Sequence, residues 1–261
     1  MSILVVQLVP EGLLFGADRN ITSQLTLRDG TVEIVVTGQS QRPKVLKWPN
    51  REVIVGYVGA AEIGGLPTDQ WLYSFIGRNL GFSDLGTLAE TLTAELDTLL
   101  RAGDFSGPSI LHLGGFESTN GELSPRVYFI RNTTALTPDG IYEVGDGFEY
   151  SEELAQPTYF GTMRGSEIRE YVQGNFFSFR QGFDLGSFGA IDASLRSAMQ
   201  AIIHTHPRRP HPLPATLDEW SKHVSLAIHG YGAYFAAFYA PFEQYVGGGA
   251  DVVWAAWPGL T

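Results

Sequence analysis

Apolar residues come in short, nearly unbroken runs through the first part of the chain. Residues 3–8 and 13–17 flank Pro10-Glu11-Gly12 and predict a β-hairpin. The runs do not alternate with polar positions, which predicts strands covered on both faces. Alternation takes over at Leu25–Arg28 and Thr31–Val36, on either side of Asp29-Gly30, a pair suited to tight hairpin turns. Lys44–Lys47 and Val53–Val58 predict a further strand pair, turned at Pro49-Asn50.

The period then changes. Pro67-Thr68-Asp69 opens a helix with Trp71, Leu72, Phe75 and Ile76 on one stripe. Ser83-Asp84 opens a second, whose leucines at 85, 88, 92, 96, 99 and 100 keep helical spacing until Gly103. Strands return at Ser109–Leu113 and Arg126–Arg131, with weaker ones at Tyr142–Val144 and Thr158–Gly161. Helices are predicted from Glu167, over Asp192–His204 and over Leu217–Tyr239, then a last strand at Val252–Ala256. The order predicts one α+β domain over residues 1–261, with two helical layers enclosing two stacked, mainly antiparallel sheets.

Composition narrows the function classes. The 261 residues are 44% hydrophobic, enough for a sizeable core, and carry a formal net charge of -11. Such an acidic chain is a poor match for nucleic acid or an anionic membrane. No apolar run reaches the roughly 18 residues of a membrane span. No secretory leader is recognisable, and cytoplasmic localisation is expected. The absence of cysteine removes disulfides, thiolate metal sites and thiol nucleophiles. The glycine-rich turns lack a phosphate-loop Lys-Ser/Thr and a dinucleotide fingerprint, so no cofactor is expected.

Candidate chemistry gathers at the start of the chain, where Ser2, Asp18 and Lys44 would supply a nucleophile and activating groups if folding joined them. The order Ser2, Gly12, Ala17-Asp18, Lys44-Val45 and Gly59-Ala60-Ala61-Glu62 resembles the proteasome-type subunits of the N-terminal-nucleophile hydrolases. Gly114-Gly115-Phe116, Arg126–Ile130 and Gly247–Ala250 extend the likeness over most of the chain. The resemblance implies a four-layer αββα sandwich, a peptide or amide substrate, and a homo-oligomer built as rings or stacks. It also implies that Ser2, exposed as the N-terminus once Met1 is removed, attacks an amide with its own α-amine as base. Lys44, balanced by Asp18, would hold that amine neutral, Gly59 would donate to the oxyanion, and Ser166 would lend support.

Each residue also has a plainer reading. Ser2 starts a strand, Asp18 caps a turn, Lys44 is a solvated strand-end charge, and Gly59 permits close packing. Gln244 and Gly247 stand where the family carries Asp and Ser, which leaves a catalytically inactive structural subunit as an alternative. A third reading comes from His204-Thr205-His206-Pro207, which resembles the His-x-His-Pro of zinc isopeptidases. Those histidines fall at the end of a predicted helix, where the dipole favours them without a metal. No role is assigned to His211. His223 and His229 read as core or interface groups of an apolar helix.

Overall fold

The computed structural model describes residues 3–26, 32–39, 42–105, 107–119, 121–136, 142–173, 176–182, 197, 214–238 and 248–259. In chain order these form β1 (Ile3–Val9), β2 (Gly12–Asp18), β3 (Asn20–Thr26), β4 (Val32–Gln39), β5 (Val45–Lys47), β6 (Val53–Gly59), β7 (Glu62–Ile63) and β8 (Leu66–Pro67). Helices α1 (Thr68–Arg78) and α2 (Leu85–Ala102) follow, then β9 (Ser109–Thr119), β10 (Glu122–Leu136) and β11 (Tyr142–Glu152). The described chain closes with α3 (Gly165–Val172), β12 (Phe177–Gly182), α4 (Leu217–Phe238) and β13 (Ala250–Ala256).

The strands assemble into an α+β sandwich with two antiparallel sheets, ordered β12-β1-β2-β13 and β11-β10-β9-β6-β5. Side chains alternate across a strand, and β1 and β2 bury both sets. Leu4, Val6, Leu13 and Phe15 face Val45, Ile54, Val58 and Ile110 of the other sheet. Ile3, Val5 and Leu14 face Trp220, Val224 and Ile228 of α4. The second sheet turns Val55, Leu111 and Leu113 toward Trp71 and Phe75 of α1 and Leu88 and Leu92 of α2. Helix α4 lies close on β2 because Gly16 has no side chain; a Cβ there would meet Val224 Cγ1 at 2.5 Å.

Local signals account for the helix ends. Asp84 caps α2 by accepting from Thr87 N at 2.7 Å, and Gly103 terminates it with φ of 79°. The β3–β4 pair is antiparallel and sets Thr26 opposite Val32, and the expected Asp29-Gly30 turn lies outside the described residues.

Three expectations change. Thr158–Gly161 is a run of turns rather than a strand: Phe160 N donates to Leu154 O at 3.1 Å and Gly161 N to Gln156 O at 3.1 Å. Pro157 supplies no N–H for a ladder, and Phe160 is buried through this coil instead. Strand β11 runs on from the expected Tyr142–Val144 to Glu152, and β12 was not anticipated. It pairs with β1 from Ile3↔Gly182 to Leu8↔Phe177 and adds an edge to the first sheet. The helix expected over Asp192–His204 lies outside the described residues, apart from residue 197.

Candidate active site at one rim of the sandwich

The antiparallel pairing of β1 with β2 fixes which residues meet at the rim. Leu4 stands opposite Ala17, so the first described residue, Ile3, lies beside Asp18. Asp18 Oδ1 accepts the Ile3 N–H at 3.0 Å, and Oδ2 accepts the Asn20 N–H at 3.2 Å. Lys44 enters from the other sheet, one residue before β5, anchored where Tyr57 N donates to Lys44 O at 3.0 Å. Its ammonium lies 3.3 Å from Asp18 Oδ1 and donates to Asn20 O at 2.6 Å.

Both charges are out of water, with Asp18 0% and Lys44 7% exposed. Burial pushes the Lys44 pKa down, and the Asp18 carboxylate beside it acts in the opposite direction. An ion pair at this depth persists only if its remaining donors and acceptors are matched. The two backbone N–H groups and the Asn20 carbonyl do that here. Nearby, Arg19 pairs with Asp251 of β13, and Asp251 adds to the negative field at Lys44.

Gly59 ends β6 two residues beyond Tyr57, whose N–H is bonded to Lys44, and stands opposite Ser109. Its φ of +114° lies in the region favoured by glycine, and a Cβ would come within 2.2 Å of Pro108 O. Gly59 itself is exposed, so its surface is open to a ligand. The next residue, Ala60, is gripped on both sides: its N–H donates to Ser109 Oγ at 3.0 Å and its carbonyl accepts from Thr68 Oγ1 at 2.7 Å.

Ser2 lies outside the described residues, as do His204, His206, His211, Gln244 and Gly247. What is described of the chain's start is the Ile3 nitrogen, to which residue 2 is joined, held on Asp18. The structure thus brings Asp18 and Lys44 together with the peptide link that follows Ser2, and sets Gly59 at the end of the strand beside Lys44. Ser166 is placed differently. It sits in the first turn of α3, where its N–H and Oγ bond Glu122 Oε1 at 2.9 and 2.5 Å. Those bonds lower the Glu122 pKa.

Among the described residues, no group of three or more His, Cys, Asp or Glu could hold a metal. His229 is exposed, its Nδ1 2.8 Å from Ser225 O, and His223 packs edge-on against Phe176 and Trp220. Asn20, Thr68, Ser109 and Asn132 escaped the reading of the sequence. Asn20 acts through its backbone, which no side-chain motif reports. Ser109 opens β9 and Asn132 lies inside β10 at a shift in register, and only pairing reveals them as neighbours.

No family model and no curated protein matches this chain. Among solved structures it is similar to the Gly-1 mutant of Anbu from Hyphomicrobium sp. strain MC1. The identity is 15%, the match covers 98% of this chain and 82% of that one, and the TM-score is 0.47. A likeness that distant carries no family membership. The assignment to the proteasome-type subunits, expected from the order of short motifs, is therefore corrected. Gly12, where a Cβ would meet Ala255 O at 2.2 Å, shows why such motifs are unspecific: close packing alone demands that glycine.

Proposed function

We propose that this protein hydrolyses an amide bond through Ser2 acting as an N-terminal nucleophile. The observation that carries the reading is the buried Asp18–Lys44 pair, whose carboxylate also accepts the first described peptide N–H of the chain. A fold gains little from burying a carboxylate and an ammonium, since apolar residues of similar volume often serve as well or better. Placing them against the Ile3 N–H, one residue after Ser2, fits a chemical task. The helix, sheet, sheet and helix packing supports a four-layer αββα arrangement as the frame of this site.

The reaction requires removal of Met1, which frees the Ser2 α-amine. That amine has an ordinary pKa of about 7.7–8 and takes the hydroxyl proton as Oγ adds to the substrate carbonyl carbon. The Lys44 ammonium disfavours a second positive charge nearby and keeps the amine neutral and basic. Asp18 compensates Lys44. The carbonyl oxygen becomes an oxyanion, for which the Gly59 N–H is the proposed donor. Collapse breaks the C–N bond, the proton passes to the leaving amine, and an ester on Ser2 remains. Water adds to that ester with the same amine as base, releasing the acid and restoring Ser2.

Two measurements test this reading. The intact mass should lack Met1. Against a panel of peptidyl-aminocoumarin amides, Ser2→Ala should abolish hydrolysis while leaving the urea midpoint unchanged. Full activity in Ser2→Ala refutes the mechanism. A mass that retains Met1, with no hydrolysis, favours a structural role for the same frame.

A further inference from the structure

The proposed oxyanion donor is a backbone N–H, so its aim depends on what fixes the peptides around Gly59. On one side the β6–β9 ladder holds the chain up to Gly59↔Ser109. On the other side the Gly59–Ala60 peptide has left the ladder direction, because φ at Gly59 is +114°. Backbone that departs from a sheet at an exposed rim is free to swivel unless side chains replace the lost ladder bonds.

Here they do. Ser109 Oγ accepts the Ala60 N–H at 3.0 Å. The Ser109 backbone N–H in turn donates to Asn132 Oδ1 at 2.7 Å, and Asn132 Nδ2 donates to Gly107 O at 2.9 Å. Both side chains are buried, Ser109 at 4% and Asn132 at 1% exposure. From the helix side, Thr68 Oγ1 donates to Ala60 O at 2.7 Å and Thr68 N to Ala61 O at 2.9 Å. Two polar side chains, from β9 and α1, thus grip one peptide turn at an exposed rim, and a third, Asn132 of β10, holds the backbone of Ser109. A turn required only for chain reversal would need no such support, since water can satisfy its groups.

We infer that Ser109, held by Asn132 and opposed by Thr68, is a positioning residue that fixes the Gly59–Ala60 peptide and so limits, from the side the ladder leaves free, the rotation of the adjoining Val58–Gly59 peptide that carries the Gly59 N–H. The inference rests on the Ser2 reading for its chemical purpose and on the hydrogen-bond network for its existence. Ser109 touches no substrate in this scheme and acts through Ala60. Preorganised donors are effective because they need not reorient during the reaction, so a loosened peptide should cost rate rather than substrate affinity.

The two parts separate experimentally. In Ser109→Ala, amide exchange at Ala60, followed by NMR on the full chain, should accelerate at least about tenfold. With the best aminocoumarin amide of the panel, kcat should fall about ten- to a hundredfold with KM nearly unchanged. Affinity for a peptidyl boronic acid, whose tetrahedral oxygen occupies the oxyanion position, should fall in parallel. Ser109→Thr keeps the hydroxyl and should restore most of the rate. Thr68→Val should repeat the defect and Thr68→Ser should relieve it, which covers the case in which Ser109→Ala folds poorly. Unchanged Ala60 exchange in both deletion variants overturns the network, whatever the activity. Faster exchange with unchanged kcat overturns the positioning role. Activity that survives Ser2→Ala removes the nucleophile reading alone, and the Ala60 exchange data then decide the clamp by themselves.

Discussion

The strands of the sandwich have two ends, and the chain treats them differently. At the rim where β1 ends and β2 begins, charges remain near water. Lys47 and Glu52 pair at 3.0 Å with 36% and 38% of their side chains exposed. Glu52 also accepts the Ala256 N–H at 2.5 Å, and Glu11 accepts from Trp220 Nε1 at 2.8 Å. At the rim where β1 begins and β2 ends, Asp18 and Lys44 pair at a similar separation with almost no exposure. Both rims satisfy the orphan groups of the strand ends. Only one removes two full charges from water to do so. Among the described residues the far rim closes the sandwich without a fully buried ion pair, so the near rim calls for another explanation, and a site for chemistry supplies one.

The contrast is tested most severely by removing one cation from each rim. Lys44→Met leaves the Asp18 carboxylate buried without its partner and should cost about 3–5 kcal/mol in urea unfolding, together with all hydrolytic activity. Lys47→Met exposes Glu52 to solvent that already reaches it and should cost about 0–1 kcal/mol. The double variant Asp18→Asn/Lys44→Met should recover most of the stability lost by Lys44→Met and none of the activity. Equal losses at the two rims, or a double variant no more stable than Lys44→Met, would break the comparison.

Much of this frame was legible in the sequence. The unbroken apolar runs of β1 and β2 announced strands covered twice, and the leucine spacing of α2 with Asp84 and Gly103 marked that helix to within a residue. Asp18 and Lys44 were visible as candidates because, together with Ser2, their order along the chain resembled that of an N-terminal-nucleophile site. Their pairing was not, since it depends on one sheet facing another across residues far apart in the chain. Ser109, Asn132 and Thr68 were illegible for the same reason: Ser109 and Thr68 are ordinary residues at an element's start and Asn132 an ordinary residue within β10. The turns around Phe160 read as a strand because burial, not pairing, put aromatic residues there. The family assignment went wrong at a different level: glycines and a Lys-Val pair recur wherever strands pack closely, and their order alone does not establish descent.

A third buried ionisable group sharpens the contrast from within the core. His112 of β9 is 1% exposed, edge-on to Phe15 and stacked on Phe129 at 4.9 Å. Burial pushes its pKa down to about 3, so the folded chain keeps it neutral. An unfolded chain takes up that proton below about pH 6.5. The unfolded state therefore binds more protons between roughly pH 6.5 and 3, and stability from this group falls as pH falls through that window. Urea unfolding of the wild type should lose about 1 kcal/mol more than His112→Leu between pH 6 and pH 5. Identical pH dependence in the two proteins would mean that His112 takes up its proton when folded, and the neutral core would then not differ from the charged rim.

The smallest effect is expected at the far rim itself. Glu11 holds the Trp220 indole N–H through Oε2, while its backbone carbonyl accepts from Trp257 N at 2.9 Å. Glu11→Gln keeps an acceptor within reach of the buried indole and removes only a half-exposed charge. The loss should be no more than about 0.5–1 kcal/mol, the difference between a charged and a neutral acceptor in a partly solvated bond. Hydrolysis should not change, because among the described residues this turn is joined to the Asp18–Lys44 rim through the strands between them, and those are held by apolar packing on both faces. A change in kcat for Glu11→Gln at unaltered stability would show that the two rims communicate through β1 and β2. The charges of the far rim would then be part of the machinery and not a measure of what the fold needs without it.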